Sequence, residues 1–141
     1  MISVEAFGRL RASDYIAEDD RAFEDAWEFL GRVWLCAGYY FTDFLATHAE
    51  PDVTRCISVS FDDLSPEAGA RLLADLDLPL RPGMNLGQVQ KVLGEPVSKR
   101  SYLADRVSYE FQAGEFTVDA TIQQVGGLVY LIIHPPLPEA G

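Results

Sequence analysis

Apolar side chains recur along this chain in two rhythms, and the change from one to the other outlines its organisation. From Asp20 onward, Phe23, Ala26, Trp27, Leu30 and Trp34 fall at i, i+3, i+4, i+7 and i+11. That spacing lays one apolar stripe along a helix and predicts one here. Asp19 or Asp20 stands where an N-cap belongs, and Glu24 and Asp25 lie where the helix dipole favours anions. Residues 35–44 are ambiguous, because Gly38 weakens a helix while Tyr39, Tyr40 and Phe41 favour a strand. We read them as strand or irregular structure. Ile57, Val59 and Phe61 then alternate with Cys56, Ser58 and Ser60, the period of a half-buried strand, which Asp62 and Asp63 end. Ser65-Pro66-Glu67 reads as N-cap, first-turn proline and first-turn acid. The helix that follows turns Leu72, Leu73 and Leu76 inward, and Pro79 stops it.

The second half is written more plainly. Arg81-Pro82-Gly83-Met84 predicts a turn, and Asn85 caps a short helix with Gln88 placed to complete a capping box. Leu86, Val89 and Leu93 share its inner face; Gly94 supplies a left-handed C′ residue and Pro96 blocks continuation. Four strands are predicted after Pro96. Residues 97–103 lead through Ala104-Asp105 to Val107, Tyr109 and Phe111, which alternate with Ser108 and Glu110. Ala113-Gly114 turns the chain into Phe116, Val118, Ala120 and Ile122, alternating with Thr117, Asp119 and Thr121. Gly126-Gly127 turns it again into 128–133, apolar on both faces and so expected inside the sheet or beneath helices. Short turns between neighbouring strands require antiparallel pairing, hence a meander. The predicted class is α+β: short helices packed on an antiparallel sheet whose C-terminal part is a four-stranded meander. Residues 135–141, with Pro135, Pro136 and Pro138, read as a tail. No internal repeat is visible.

Length and composition add that 141 residues with 48% hydrophobic and 23% charged side chains suit one domain with one core. The formal net charge is −11, and it is unevenly placed. Residues 1–70 hold 5 basic and 14 acidic residues; 71–141 hold 6 and 8. Asp14, Glu18, Asp19, Asp20, Glu24, Asp25 and Glu28 stand against Arg21 alone and form the candidate partner-binding cluster, expected on the outer face of the first helix. Such a field repels phosphate backbones and anionic lipid, so neither nucleic acid nor a membrane surface is an expected partner. A basic protein is. Cys36 and Cys56 are too few for a disulfide scaffold and are expected to be buried apolar residues. The stretch 1–11 carries Glu5, Arg9 and Arg11 and no continuous apolar run, so no signal peptide is expected and the default location is the cytoplasm.

Pro82-Gly83-Met84, Val89, Val92-Leu93-Gly94-Glu95-Pro96 and Tyr109-Glu110-Phe111 together resemble the signature of the SmpA/OmlA family. Those are small outer-membrane assembly lipoproteins, and the beta-lactamase-inhibitor-protein fold is built in a similar way. The likeness covers roughly residues 80–134. It implies short helices paired with an antiparallel sheet and a role in binding other proteins without chemistry. Folding explains the same residues, since Gly83 permits a turn and Gly94 and Pro96 end a helix.

Chemistry has few candidates. His48, near Asp43, Glu50 and Asp52, matches no zinc or calcium loop and reads as a polar surface loop. His134 reads as a residue at the sheet margin. Asp62-Asp63 is either a carboxylate pair at a strand end or the approach to a helix, and the second is simpler. Tyr39-Tyr40-Phe41 with Trp27 and Trp34 reads as core, or else as an aromatic binding surface. The chain contains no nucleophile elbow, phosphate loop or dinucleotide fingerprint. No catalytic residue, cofactor or metal is expected. The leading expectation is a non-catalytic protein-binding module that engages its partner through the acidic half or an exposed sheet face. An intracellular inhibitor or immunity-type protein for a basic partner is one version. The alternative is a small-ligand-binding protein or enzyme with a pocket between helices and sheet.

Overall fold

The computed structural model describes residues 2–15, 23–29, 32–39, 42–47 and 53–135. A five-residue helix, α1 (Val4–Gly8), and a 3-10 turn at Ala12–Asp14 precede four strands: β1 (Phe23–Phe29), β2 (Arg32–Tyr39), β3 (Thr42–Thr47) and β4 (Thr54–Ser60). Two helices follow, α2 (Pro66–Asp75) and α3 (Leu86–Leu93). The chain ends in β5 (Ser98–Leu103), β6 (Arg106–Ala113), β7 (Phe116–Gln123) and β8 (Gly127–His134). All eight strands form one antiparallel sheet in the order β1-β2-β3-β4-β8-β7-β6-β5. The fold is α+β, and 98–134 is the expected four-stranded meander. Strand β8 lies in the interior of the sheet, as its two apolar faces require.

The sheet contains a doubling that no sequence repeat announces. Each half of the chain contributes helical turns followed by a four-stranded meander. The last strands of the two meanders, β4 and β8, meet antiparallel with Ile57 opposite Ile133 and Val59 opposite Leu131.

The helix expected over 20–34 does not form. Phe23 to Phe29 pairs residue for residue with Gly38 to Arg32, so Phe23 and Trp27 belong to β1 and Trp34 to β2. The same segment also carries a period of two broken at Asp25, with Phe23, Trp27 and Phe29 on the other odd positions and Glu24, Ala26 and Glu28 on the even ones. Aromatic residues gain more in a pleated ladder than in a helix, and pairing with the apolar β2 decides between the two rhythms. The strand preference read for 35–44 holds, since β2 and β3 occupy most of it. Helix α1 was not foreseen; Ser3 caps it, accepting a hydrogen bond from the Ala6 N–H at 3.1 Å.

Helices α2 and α3 begin where the sequence places them. Ser65 accepts from the Ala68 N–H at 3.1 Å with Pro66 in the first turn. Asn85 and Gln88 exchange capping bonds of 2.9 and 3.0 Å. Their ends differ from expectation. Helix α2 stops before Pro79: Asp77 turns left-handed at φ 53°, and the N–H groups of Asp77 and Leu78 donate to Ala74 and Leu73 at 3.0 Å each. Those two bonds are a Schellman closure with an aspartate where glycine is usual. Gly94 has φ 83° with ψ −161°, an extended conformation open to glycine rather than the left-handed helical one.

The core lies between the helices and one face of the sheet. Phe111, Phe116, Val118, Ala120, Leu131, Ile133, Ile57 and Val59 are buried against Phe7, Leu72, Leu76 and Val89. Ring packing of Phe7 on Phe116, with centroids 5.0 Å apart, ties α1 to β7. A polar latch closes the N-terminal segment over α2. Tyr15 stacks on Phe44, donates to Asp75 Oδ2 at 2.6 Å and lies beneath the Arg71 guanidinium. Arg71 in turn donates to the Asp14 carbonyl.

Candidate interaction face

The face of β4–β8 opposite the helices carries a different set of residues. The strand register arranges them in cross-strand rows. One row runs Arg100, Ser108, Thr121, Tyr130, Ser60 from β5 to β4; the next runs Ser98, Glu110, Asp119, Ile132, Ser58. In β7 and β8 these positions are half-buried and alternate with buried ones on the helical side; in β6 Ser108 and Glu110 are half-buried too, as are Val107 and Tyr109 on the helical side. A hollow of about 590 Å³ opens on this face, lined by Ser60, Asp62, Asp63, Arg100, Arg106, Ser108, Asp119, Thr121, Gln123, Val129, Tyr130 and Ile132.

A bulge shapes the floor. Thr121 pairs with Tyr130 and Ile122 with Leu128, so Val129 is an extra residue in β8. A bulge bends and twists its strand. Here Val129 and Tyr130 both line the hollow while Leu128 stays buried. The start of β8 is fixed from the side by the turn at Gly83: Gly83 N–H donates to Leu128 O at 2.9 Å and Leu128 N–H to Met84 O at 2.8 Å. This docking gives the Gly83-Met84 pair and Gly127 a structural role, since a Cβ on Gly127 would run into the Gly83 carbonyl.

Charges are distributed unevenly over the hollow. Arg100 and Arg106 stand toward β5 and β6, while Asp62 and Asp63 stand beyond the end of β4. With strands about 4.8 Å apart, the row from β5 to β4 spans about 19 Å. Asp119 lies in the middle, directly opposite Glu110 on the neighbouring strand. Burial, then the Glu110 charge, push the Asp119 carboxyl above its ordinary range, against the pull of Arg100 and His134. Ser98 donates to Glu110 Oε2 at 2.8 Å, and the Ser108 and Thr121 hydroxyls bond each other at 2.8 Å. Arg106 forms an ion pair with its neighbour Asp105 at 3.4 Å.

The sequence-predicted cluster fares differently. Glu18, Asp19 and Asp20 lie outside the described residues. Glu24, Asp25 and Glu28 are in β1, paired in the ladder with Ala37, Cys36 and Val33, so no acidic helix face gathers them. Asp14 is exposed at the end of the 3-10 turn. His48, Glu50 and Asp52 lie outside the described residues, and no metal-binding group of His, Cys, Asp or Glu occurs among those described. Cys56 is half-buried where full burial was expected. His134 ends an interior strand, with Nδ1 at 2.8 Å from the Pro135 carbonyl. Asp62 and Asp63 do form the turn before α2, Asp63 N–H donating to Ser60 O at 3.0 Å. The hollow also gathers them, so the two readings offered for the pair, helix approach and carboxylate pair at a strand end, describe the same place. Asp119 was legible only as one of the wet positions of a strand.

A second hollow of about 390 Å³ lies where the start of α3 meets the β5–β6 turn, with Leu86, Tyr109 and Ile122 in its wall. Among the described residues no helix is long and apolar enough to cross a membrane. No protein-family model, curated protein or solved structure matches this chain in comparison.

Proposed function

We propose that this protein is a non-catalytic binding module that docks a basic protein partner on the open face of its sheet, in the manner of an inhibitor or immunity-type protein. The observation that carries the reading is the asymmetry of β4–β8. One face is sealed by helices, and the other presents an open hollow of about 590 Å³ whose lining runs from β5 to β4, a cross-strand row about 19 Å long that can take a protruding polypeptide segment. Tyr130 and Ile132 give that face an apolar centre, and hydroxyl and charged groups surround it, the usual anatomy of a recognition patch. The net charge of −11 supports a basic partner, because opposite charge accelerates encounter and makes it salt-sensitive. The resemblance of 80–134 to SmpA/OmlA-like domains supports the same class of activity, and cytoplasmic residence fits the inhibitor version.

Site-specific photo-crosslinking in native cells tests the proposal. A benzophenone side chain is placed at Tyr130, and a control is placed at Glu67, exposed on α2. The expected result is one discrete protein adduct from position 130 and none from position 67. Adducts only from position 67, or from neither, refute the open face as the docking surface.

A further inference from the structure

The open face carries a cross-strand arrangement that folding alone does not favour. Glu110 and Asp119 are register partners on β6 and β7, and both belong to the face away from the helices. Like charges directly opposite each other in a ladder are destabilising. The positions around them offset this only in part: Ser98 donates to Glu110 Oε2 at 2.8 Å, and Arg100 pulls on Asp119 against burial and the Glu110 charge. Asp119 faces Ile132 on its other side, and Arg100 and His134 are the cationic or titratable groups that act on it. The hollow as a whole is lined by three carboxylates, Asp62, Asp63 and Asp119, against two guanidiniums. One of those, Arg106, already pairs with Asp105. Next to Asp119 the floor turns apolar at Ile132 and Tyr130.

We infer that this hollow receives a protruding loop of the partner protein bearing a lysine or arginine beside an apolar side chain, with Asp119 holding the cation and Tyr130 and Ile132 seating the apolar group. The inference rests on the docking reading above and specifies its chemistry. Charge complementarity selects the occupant. A cation entering from the partner adds to the counter-charge that Arg100 gives the Glu110–Asp119 pair, in a half-buried setting where an ion pair is screened less than at an open surface. Arg100, at the β5 end of the neighbouring row, is placed for a carbonyl or carboxylate of the same loop. In this arrangement Asp119 determines specificity and lowers the stability of the unbound protein, a compromise common at binding sites.

A disulfide-cyclised nonapeptide library displayed on phage and selected against the full chain provides the test, with Asp119→Asn, Tyr130→Ala and Glu67→Gln as variants. Support is enrichment of loops with Lys or Arg next to an apolar residue that bind Asp119→Asn at least tenfold more weakly, lose binding to Tyr130→Ala and ignore Glu67→Gln. Thermal melting separates recognition from a structural role. Asp119→Asn should melt at a higher temperature than the parent, and a lower one contradicts the inference. Loops that need Tyr130 yet carry no basic residue, or bind Asp119→Asn equally, overturn the cation site and leave the docking face standing. Loops insensitive to both substitutions, or no enriched loops, overturn both. Self-association of the chain abolished by Tyr130→Ala places a second copy on the face and also overturns the inference.

Discussion

Asp119 and Tyr15 show how single side chains on opposite sides of the sheet are set by their neighbours. The Asp119 carboxyl has a native pKa above its ordinary 3.8, so between those two values the native state binds more protons than the unfolded chain. Stability from this group is therefore greatest below pH 3.8 and falls as pH rises through the native value. Urea midpoints measured across the acid range should show that fall in the parent and a flatter profile in Asp119→Asn. An equal slope in both contradicts the assignment. Tyr15 behaves in the same sense at the alkaline end. Burial, then its bond to Asp75, keep the phenol protonated beyond its ordinary 10.0, so stability declines as pH climbs past that value. Tyr15→Phe should remove the alkaline decline and, through the lost hydrogen bond, cost about 1 kcal/mol at neutral pH. Thr42 presents a third case. Fully buried, its hydroxyl accepts from the Ser60 N–H at 3.0 Å and donates to the Ser60 carbonyl at 3.3 Å. Thr42→Val leaves both groups unsatisfied and should lower stability by about 1–3 kcal/mol in denaturant unfolding.

Elements differ in how openly the sequence declares them. Helix α3 is specified at its start by Asn85 and Gln88, and Asn85→Ala should cost about 1 kcal/mol of unfolding free energy. The meander was equally legible, because strict alternation in 107–111 and 116–122 matches one period only and the turns are short. β1 was not legible, since its aromatic residues satisfy both the helical and the strand rhythm and the long-range pairing with β2 decides. The end of α2 was hidden for a different reason. An aspartate occupies the left-handed position, and sequence reading looks for glycine there. The bulge at Val129 has no sequence mark either, yet it shapes the floor of the hollow. The turn that braces it is testable: Gly127→Ala drives a Cβ into the Gly83 carbonyl at a positive φ and should cost roughly 2–3 kcal/mol, read by urea unfolding.

For the molecule as a whole, the α+β class and the interior place of β8 followed from composition and pattern, whereas the doubled meander and the site did not. The sequence pointed to acids contiguous in the chain, of which Glu18, Asp19 and Asp20 lie outside the described residues, while the hollow gathers Asp62, Asp63, Asp119 and Arg100 from separate strands and a turn. Residues brought together by strand order leave no local signature. In the proposed function the open face of β4–β8 is the docking surface and the helical side its support. The decisive experiment is calorimetric titration of the partner recovered through position 130 into two tryptophan variants, each first shown to melt like the parent. Gln123→Trp fills the hollow, and Ala74→Trp adds the same bulk to the exposed side of α2. Binding lost in the first and retained in the second is the predicted outcome. Binding retained in the first, or lost only in the second, contradicts it.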